Sequence, residues 1–139
     1  METRRLGDTL PLDEVLEKLT FNEQGLIPAI AQQHDSGEVL MMAWMNLASI
    51  RETLTTGRVC YWSRSRQAYW RKGESSGNQQ KLKEMLIDCD GDTLLLKVEQ
   101  LGAACHTGRR DCFFHQVTED SVTVSSDPIM DPKALYQSL

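Results

Sequence analysis

Apolar residues recur at helical spacing in the segment Leu12-Asp13-Glu14-Val15-Leu16-Glu17-Lys18-Leu19, which sets Leu12, Val15, Leu16 and Leu19 on one face with acids in the first turn. After Gly25 the pattern becomes strand-like from Leu26 to Gln32. Asp35-Ser36-Gly37 then reads as a turn and Val39 to Trp44 as a second strand, so the two predict a hairpin. Asn46 is a good N-cap for a helix that carries Leu47, Ile50 and Leu54 inward and ends near Gly57. Short strands follow at Val59–Trp62, Ala68–Arg71, Leu82–Cys89 and Thr93–Glu99, the last two joined by the hairpin signal Asp90-Gly91. Phe113–Val117 is a final short strand. From Thr118 the chain turns polar with two Asp-Pro steps, which predicts a loosely ordered or partner-dependent tail. The sum is an α+β single domain with a mostly antiparallel sheet and a few helices. Its segments are a helical N-terminus (1–21), a main domain (22–117) and a polar tail (118–139).

At 139 residues, 40% of them hydrophobic and 25% charged, the chain has the size and composition of one globular domain. Its longest apolar stretch, Val39 to Met45, is far below the roughly 18 residues needed to span a bilayer. No apolar run follows Met1-Glu2-Thr3-Arg4-Arg5 to serve as a signal peptide, so the cytoplasm is the expected location. A net charge of −5 argues against non-specific nucleic-acid binding. Between Gly57 and Gly73, however, stand Arg58, Arg64, Arg66, Arg71 and Lys72 with no acid among them. A local cationic patch on an acidic protein suits a small anionic ligand.

Three constellations carry chemistry. Asp88, Asp90 and Asp92 alternate in Asp88-Cys89-Asp90-Gly91-Asp92 and would project to one side of an extended segment, where a hard cation such as Mg²⁺ or Ca²⁺ would relieve their repulsion. A solvated acidic hairpin turn is the other reading. Glu99 falls where an EF-hand would place its last ligand, but Gly91 is out of position and Leu94-Leu95-Leu96 would have to be loop. Next, Cys105 and Cys112 flank a polar, Gly-containing loop, too widely spaced for a zinc ribbon, while Cys89 stands alone upstream. Three thiolates with the fourth position left to water would make an open, catalytic zinc site, and His106 beside it would be a general base. His34 and His115 have no such context and read as structural. Finally, Tyr61-Trp62-Ser63-Arg64-Ser65-Arg66 and Trp70-Arg71-Lys72-Gly73-Glu74-Ser75-Ser76-Gly77 combine cations, hydroxyls and glycines as a phosphate cradle does. Trp62 and Trp70 would either stack on a base or fill core positions.

These segments, in this order, resemble phosphoribosyl-AMP cyclohydrolases of histidine biosynthesis. The likeness runs from Gly25-Leu26-Ile27-Pro28-Ala29 through Gly37-Glu38-Val39-Leu40-Met41, Met45-Asn46 and the two basic segments to Asp88–Asp92 and Cys105-His106-Thr107-Gly108-Arg109-Arg110-Asp111-Cys112-Phe113, covering about 22–117. The resemblance implies hydrolytic opening of the adenine ring of 1-(5-phosphoribosyl)-AMP between N1 and C6. It implies Zn²⁺ on Cys89, Cys105 and Cys112 and Mg²⁺ on Asp88, Asp90 and Asp92; His106 beside them is the candidate proton-transfer residue. It further implies an intertwined homodimer that shares each zinc site between subunits. Arg64, Arg66, Lys72, Arg109 and Arg110 are candidates for the two substrate phosphates. Asn78 stands where many members have His, and Cys60 falls where the family pattern has no ligand. The 22 residues after Val117 are too few for the fused pyrophosphohydrolase domain of some relatives, so the stand-alone form is expected. The zinc deaminase signatures His-x-Glu and Pro-Cys-x-x-Cys do not occur. The rival readings are a zinc nucleotide deaminase and a non-catalytic, zinc-bridged nucleotide sensor.

Overall fold

The computed structural model describes residues 4–74 and 76–133. Ser75 of the basic segment and the last six residues of the tail lie outside them. Two helices, α1 (Leu12–Glu17) and α2 (Leu47–Thr56), accompany eight strands: β1 (Ile27–Gln33), β2 (Val39–Met45), β3 (Cys60–Ser63), β4 (Ala68–Arg71), β5 (Gln80–Ile87), β6 (Leu94–Gln100), β7 (His115–Val117) and β8 (Val122–Val124). Six form one sheet in the order β4-β3-β2-β1-β6-β5, and β7 and β8 pair separately. The α+β class and the two expected hairpins, β1–β2 and β5–β6, are present.

Strand alternation decides the core. Every second residue of β1 and of β6 is buried, so Ile27, Ala29 and Ala31 meet Leu94, Leu96 and Val98 in one layer with Leu40, Met45 and Ile50. β1 and β6 run parallel, the one parallel pair in the sheet. The sheet curls on itself: Val59 N–H donates to the Gln80 carbonyl (3.1 Å) and Leu82 N–H to that of Gly57 (2.8 Å), which brings β5 against the segment entering β3. No helix among the described residues is long and apolar enough to cross a membrane.

The helices differ from the sequence expectation in which faces they bury. Leu16 and Leu19 of the first helical segment are buried, but Leu12 is half exposed. In α2, Ile50 is buried with Ser49 and Thr53, whereas Leu47 and Leu54 are exposed. The reason is a polar seam. The Asn46 side chain accepts from Ser49 N–H (2.8 Å) while Ser49 Oγ accepts from Asn46 N–H (2.9 Å), a reciprocal cap, and Thr53 Oγ1 accepts from the buried Cys60 N–H (2.9 Å). Satisfying that strand amide turns α2 away from the face its leucines predict. Asn46→Ala is expected to lower stability by about 1 kcal/mol, read from a thermal or urea melt.

Beyond Thr118 the chain is more regular than its polarity predicts. β7 and β8 form a hairpin, and the segment after it returns to the cysteine loop, where Ile129 and Met130 N–H both donate to the Gly108 carbonyl (2.9 and 3.2 Å).

Candidate active site

The loop after β6 is built by its own backbone. Ala104 N–H donates to the Arg110 carbonyl, Cys105 N–H to that of Arg109 and Gly108 N–H to that of Cys105, at 3.0–3.1 Å. Cys112 N–H reaches across to the Leu40 carbonyl of β2 (2.8 Å). Gly108 has φ +87, and a Cβ there would collide with the Met130 carbonyl oxygen, so only glycine lets the tail lie against this loop. The result sets the Cys105 and Cys112 thiols beside each other. Cys105 is buried and Cys112 half-buried. Burial first, then the neighbouring Cys105 sulfur, pushes the Cys112 thiol up to about 12. Thr107 Oγ1 donates to Cys105 Sγ at 3.1 Å.

Cys60 stays apart. It is buried in β3 beneath α2, and burial, aided by Glu52, raises its thiol to about 12. It is an inert core residue.

His106 is exposed on the cysteine loop and faces the β3–β4 and β4–β5 turns across a cleft of about 560 Å³. Ser63, Ser65, Arg66, Trp70, Lys72 and Glu74 line the same cleft. The basic segment and the cysteine loop, far apart in sequence, therefore line one cavity. Lys72 is buried at 8% exposure with its ammonium 5.4 Å from the Trp70 ring centroid. Desolvation lowers its pKa, opposed by the Cys112 and Cys105 thiols close by. Trp70 in turn packs on Tyr61, with ring centroids 5.5 Å apart.

The remaining basic candidates separate. Arg64 lies over Trp44 (4.7 Å to the ring centroid) in a neighbouring groove. Arg109 stacks on Phe114 at 4.1 Å and donates through Nε to the Ser126 carbonyl (2.8 Å). Arg110 does not line the cleft: its guanidinium bonds Glu38, Gln33 and the carbonyls of Gln100 and Gly102 at 2.8–3.2 Å. The side chain proposed from sequence as a phosphate ligand is spent on stapling the cysteine loop to the β1–β2 turn. Arg110→Lys keeps the charge but not the fork, and is expected to cost about 1.5–3 kcal/mol in a denaturant melt.

The three aspartates gather as the sequence suggests but by another geometry. They sit in the turn between β5 and β6 rather than along a strand, with carboxylate oxygens within 4.8 Å of one another. Asp88 Oδ1 accepts the N–H groups of Asp92 (2.9 Å) and Thr93 (3.2 Å), which closes the turn. Hydrogen bonding to Asp88 and then Asp90 lifts Asp92 to about 6. Desolvation raises Asp88 too, but the bonds it accepts outweigh this and hold it below its usual value. Three carboxylates this close also repel one another when ionised, which a hard divalent cation would relieve.

Both donor sets fit the metals their chemistry suggests: paired thiols a soft ion such as zinc, clustered carboxylate oxygens magnesium. The zinc set is incomplete within one chain. Among the described residues the aspartates are the only cluster of three side chains placed so that they could hold one metal ion, and Cys89, exposed in their turn, does not join Cys105 and Cys112.

Sequence reading missed a buried polar chain behind the site. Tyr61 Oη donates to Gln80 Oε1 (2.7 Å), Gln80 Nε2 to Gln100 Oε1 (2.8 Å), and Gln100 Nε2 to the carbonyls of Asn78 and Leu101. Gln33 Oε1 accepts from both Gln100 N–H and Arg110, which links this chain to the cysteine loop. The available signal was three glutamines at strand ends, two of which, Gln80 and Gln100, pair across β5 and β6.

The family model described as phosphoribosyl-AMP cyclohydrolase matches residues 41–114. A protein of that name from Alcanivorax borkumensis is 65% identical over 130 residues, 94% of this chain and 92% of the relative. Namesakes from Halorhodospira halophila and Alkalilimnicola ehrlichii are 62% and 60% identical, covering 97% and 98% of this chain and 95% and 96% of their own lengths. The matched span holds the thiol pair, His106, the basic turns and the aspartate cluster. The chain belongs to the phosphoribosyl-AMP cyclohydrolase family.

Proposed function

We propose that this protein hydrolyses 1-(5-phosphoribosyl)-AMP at the N1–C6 bond of its adenine ring, giving the formimino-carboxamide intermediate of histidine biosynthesis. The observation that carries this reading is the cleft that joins His106, beside the thiol pair, to Arg66 and Lys72, in a chain 65% identical to a relative named for that activity. Cys105 and Cys112 would hold zinc with Cys89. The chemistry zinc would supply there is hydroxide at neutral pH, because coordination lowers the pKa of water to about 7. Asp88, Asp90 and Asp92 would hold magnesium.

The chain's own groups do the rest. Arg66 and Lys72 draw phosphate into the cleft, and Arg64 stands in the adjoining groove. His106 takes the proton of the attacking water as its oxygen bonds to C6. It returns that proton to N1 as the N1–C6 bond breaks and the electron pair goes to N1, while the C6 hydroxyl passes its own proton to the exocyclic imino nitrogen to give the carboxamide.

A homodimer completes this site. Cys105 and Cys112 need a third protein ligand, and Cys89 of a second copy would provide it. The β7–β8 hairpin supports the same reading, since it pairs only with itself and leaves Val117, Val122 and Val124 more than half exposed. An isolated two-stranded hairpin is marginal in water without something to pack on.

The test is direct. Purified protein incubated with 1-(5-phosphoribosyl)-AMP, zinc and magnesium is expected to yield the ring-opened carboxamide without ammonia. Ammonia release would identify a deaminase instead. Bound but unchanged nucleotide would identify a sensor.

A further inference from the structure

We infer that the β3–β4 turn separates the substrate's two phosphates, Arg66 binding one in the His106 cleft and Arg64 binding the other in the adjoining groove. This rests on the ring-opening reading, which takes the substrate to carry a phosphorylated pentose at both N1 and N9 of its purine.

Two cavities meet at this turn. Ser63, Ser65 and Trp70 border both the cleft and a second groove of about 520 Å³. Arg66 lines the cleft and not the groove; Arg64 lines the groove and not the cleft. Each cavity thus has its own arginine, and the two stand two residues apart on one ridge.

Both guanidiniums are available. Neither enters an ion pair among the described residues, unlike Arg71, which is bidentate to Glu52 at 2.9 Å, and Arg110, which is held by Glu38. Arg64 is pre-organised by its stack on Trp44, which leaves its edge free for a phosphate oxygen. The ridge itself is set by local bonds. Gln67 takes a left-handed φ of 51 and donates through Nε2 to the Arg64 carbonyl (2.7 Å), while Arg66 N–H donates to Ser63 Oγ (3.3 Å). A non-glycine residue in that conformation is uncommon outside turns that determine it.

Chemistry assigns the arms. The pentose on N1 adjoins the bond that breaks, so it belongs in the cleft that holds His106, beside Arg66. The N9 arm, on the far side of the purine, then reaches Arg64 and the indoles of Trp44 and Trp62.

AMP carries the N9 arm alone and is the discriminating probe. Its binding is read from tryptophan fluorescence, since Trp44, Trp62 and Trp70 line the groove. Arg64→Gln is expected to weaken AMP roughly 10- to 100-fold, the effect of losing a charge-assisted contact, whereas Arg66→Gln leaves it unchanged. Both variants should raise KM for 1-(5-phosphoribosyl)-AMP over the same range. Arg64→Lys, keeping charge without the planar fork, should fall between wild type and Arg64→Gln. Failure of wild type to bind AMP, unchanged AMP binding in Arg64→Gln, or equal losses in both Gln variants would overturn the division. Because AMP binding needs no turnover, a protein that opens no ring yet shows the Arg64-specific loss would refute the activity and keep the second phosphate site.

Discussion

Cys112→Ser protein is expected to contain no zinc and to have no measurable turnover, while melting close to wild type. The side chain sits half-buried beside Cys105, and its backbone N–H is fixed to the Leu40 carbonyl of β2. Serine is smaller than cysteine and keeps that backbone bond, so the loop has no steric reason to move. What changes is the donor. Zinc is held by thiolate, and a serine hydroxyl, which stays protonated near neutral pH, does not replace it. The same burial that pushes the Cys112 thiol up to about 12 makes the free thiolate costly, so a bound cation is what stabilises it. Metal analysis by atomic emission and a ring-opening assay on the same sample decide the matter. Cys60→Ser is the matched control, since Cys60 lies under α2 away from the loop and should retain zinc. A fully active, zinc-free Cys112→Ser enzyme would remove the catalytic metal from the scheme.

The parts of this site legible in the sequence are those fixed by local pattern. Alternation in β1 and β6 marks buried faces because each strand is covered along one side of its whole length. The cysteines stand out because thiols are seldom placed in a polar, glycine-containing loop, and the aspartates because three of them alternate within five residues. What pattern could not supply is long-range. Nothing local distinguishes Arg110 from Arg66, yet Arg110 meets Glu38, Gln33 and two carbonyls and becomes a staple, while Arg66 meets an open cleft. Leu47 and Leu54 have the spacing of a core face, but the Thr53–Cys60 bond sets the rotation of α2. The aspartates converge through backbone amides of a turn, where strand periodicity would have aligned them on a face. The tail reads as polar and loose, yet the return of Ile129 and Met130 depends on Gly108, far upstream, having room for them. The proposed meeting of Cys89 with the other two thiols needs a second copy, which neither local pattern nor a single chain supplies.

His106→Ala separates metal binding from proton transfer. His106 is exposed at the mouth of the cleft, one residue from Cys105, and its imidazole takes no part in the hydrogen bonds that shape the loop, which run through the backbone of Ala104, Cys105 and Gly108. Truncation should therefore leave zinc bound and the fold intact. The kcat is expected to fall by roughly 10² to 10⁴, the range for loss of a positioned general acid or base, with KM changed far less because the phosphate contacts remain. Added imidazole should restore part of the rate if the cleft admits it where the side chain was. A His106→Ala enzyme with wild-type kcat would assign proton transfer to solvent and leave His106 as a wall of the cleft.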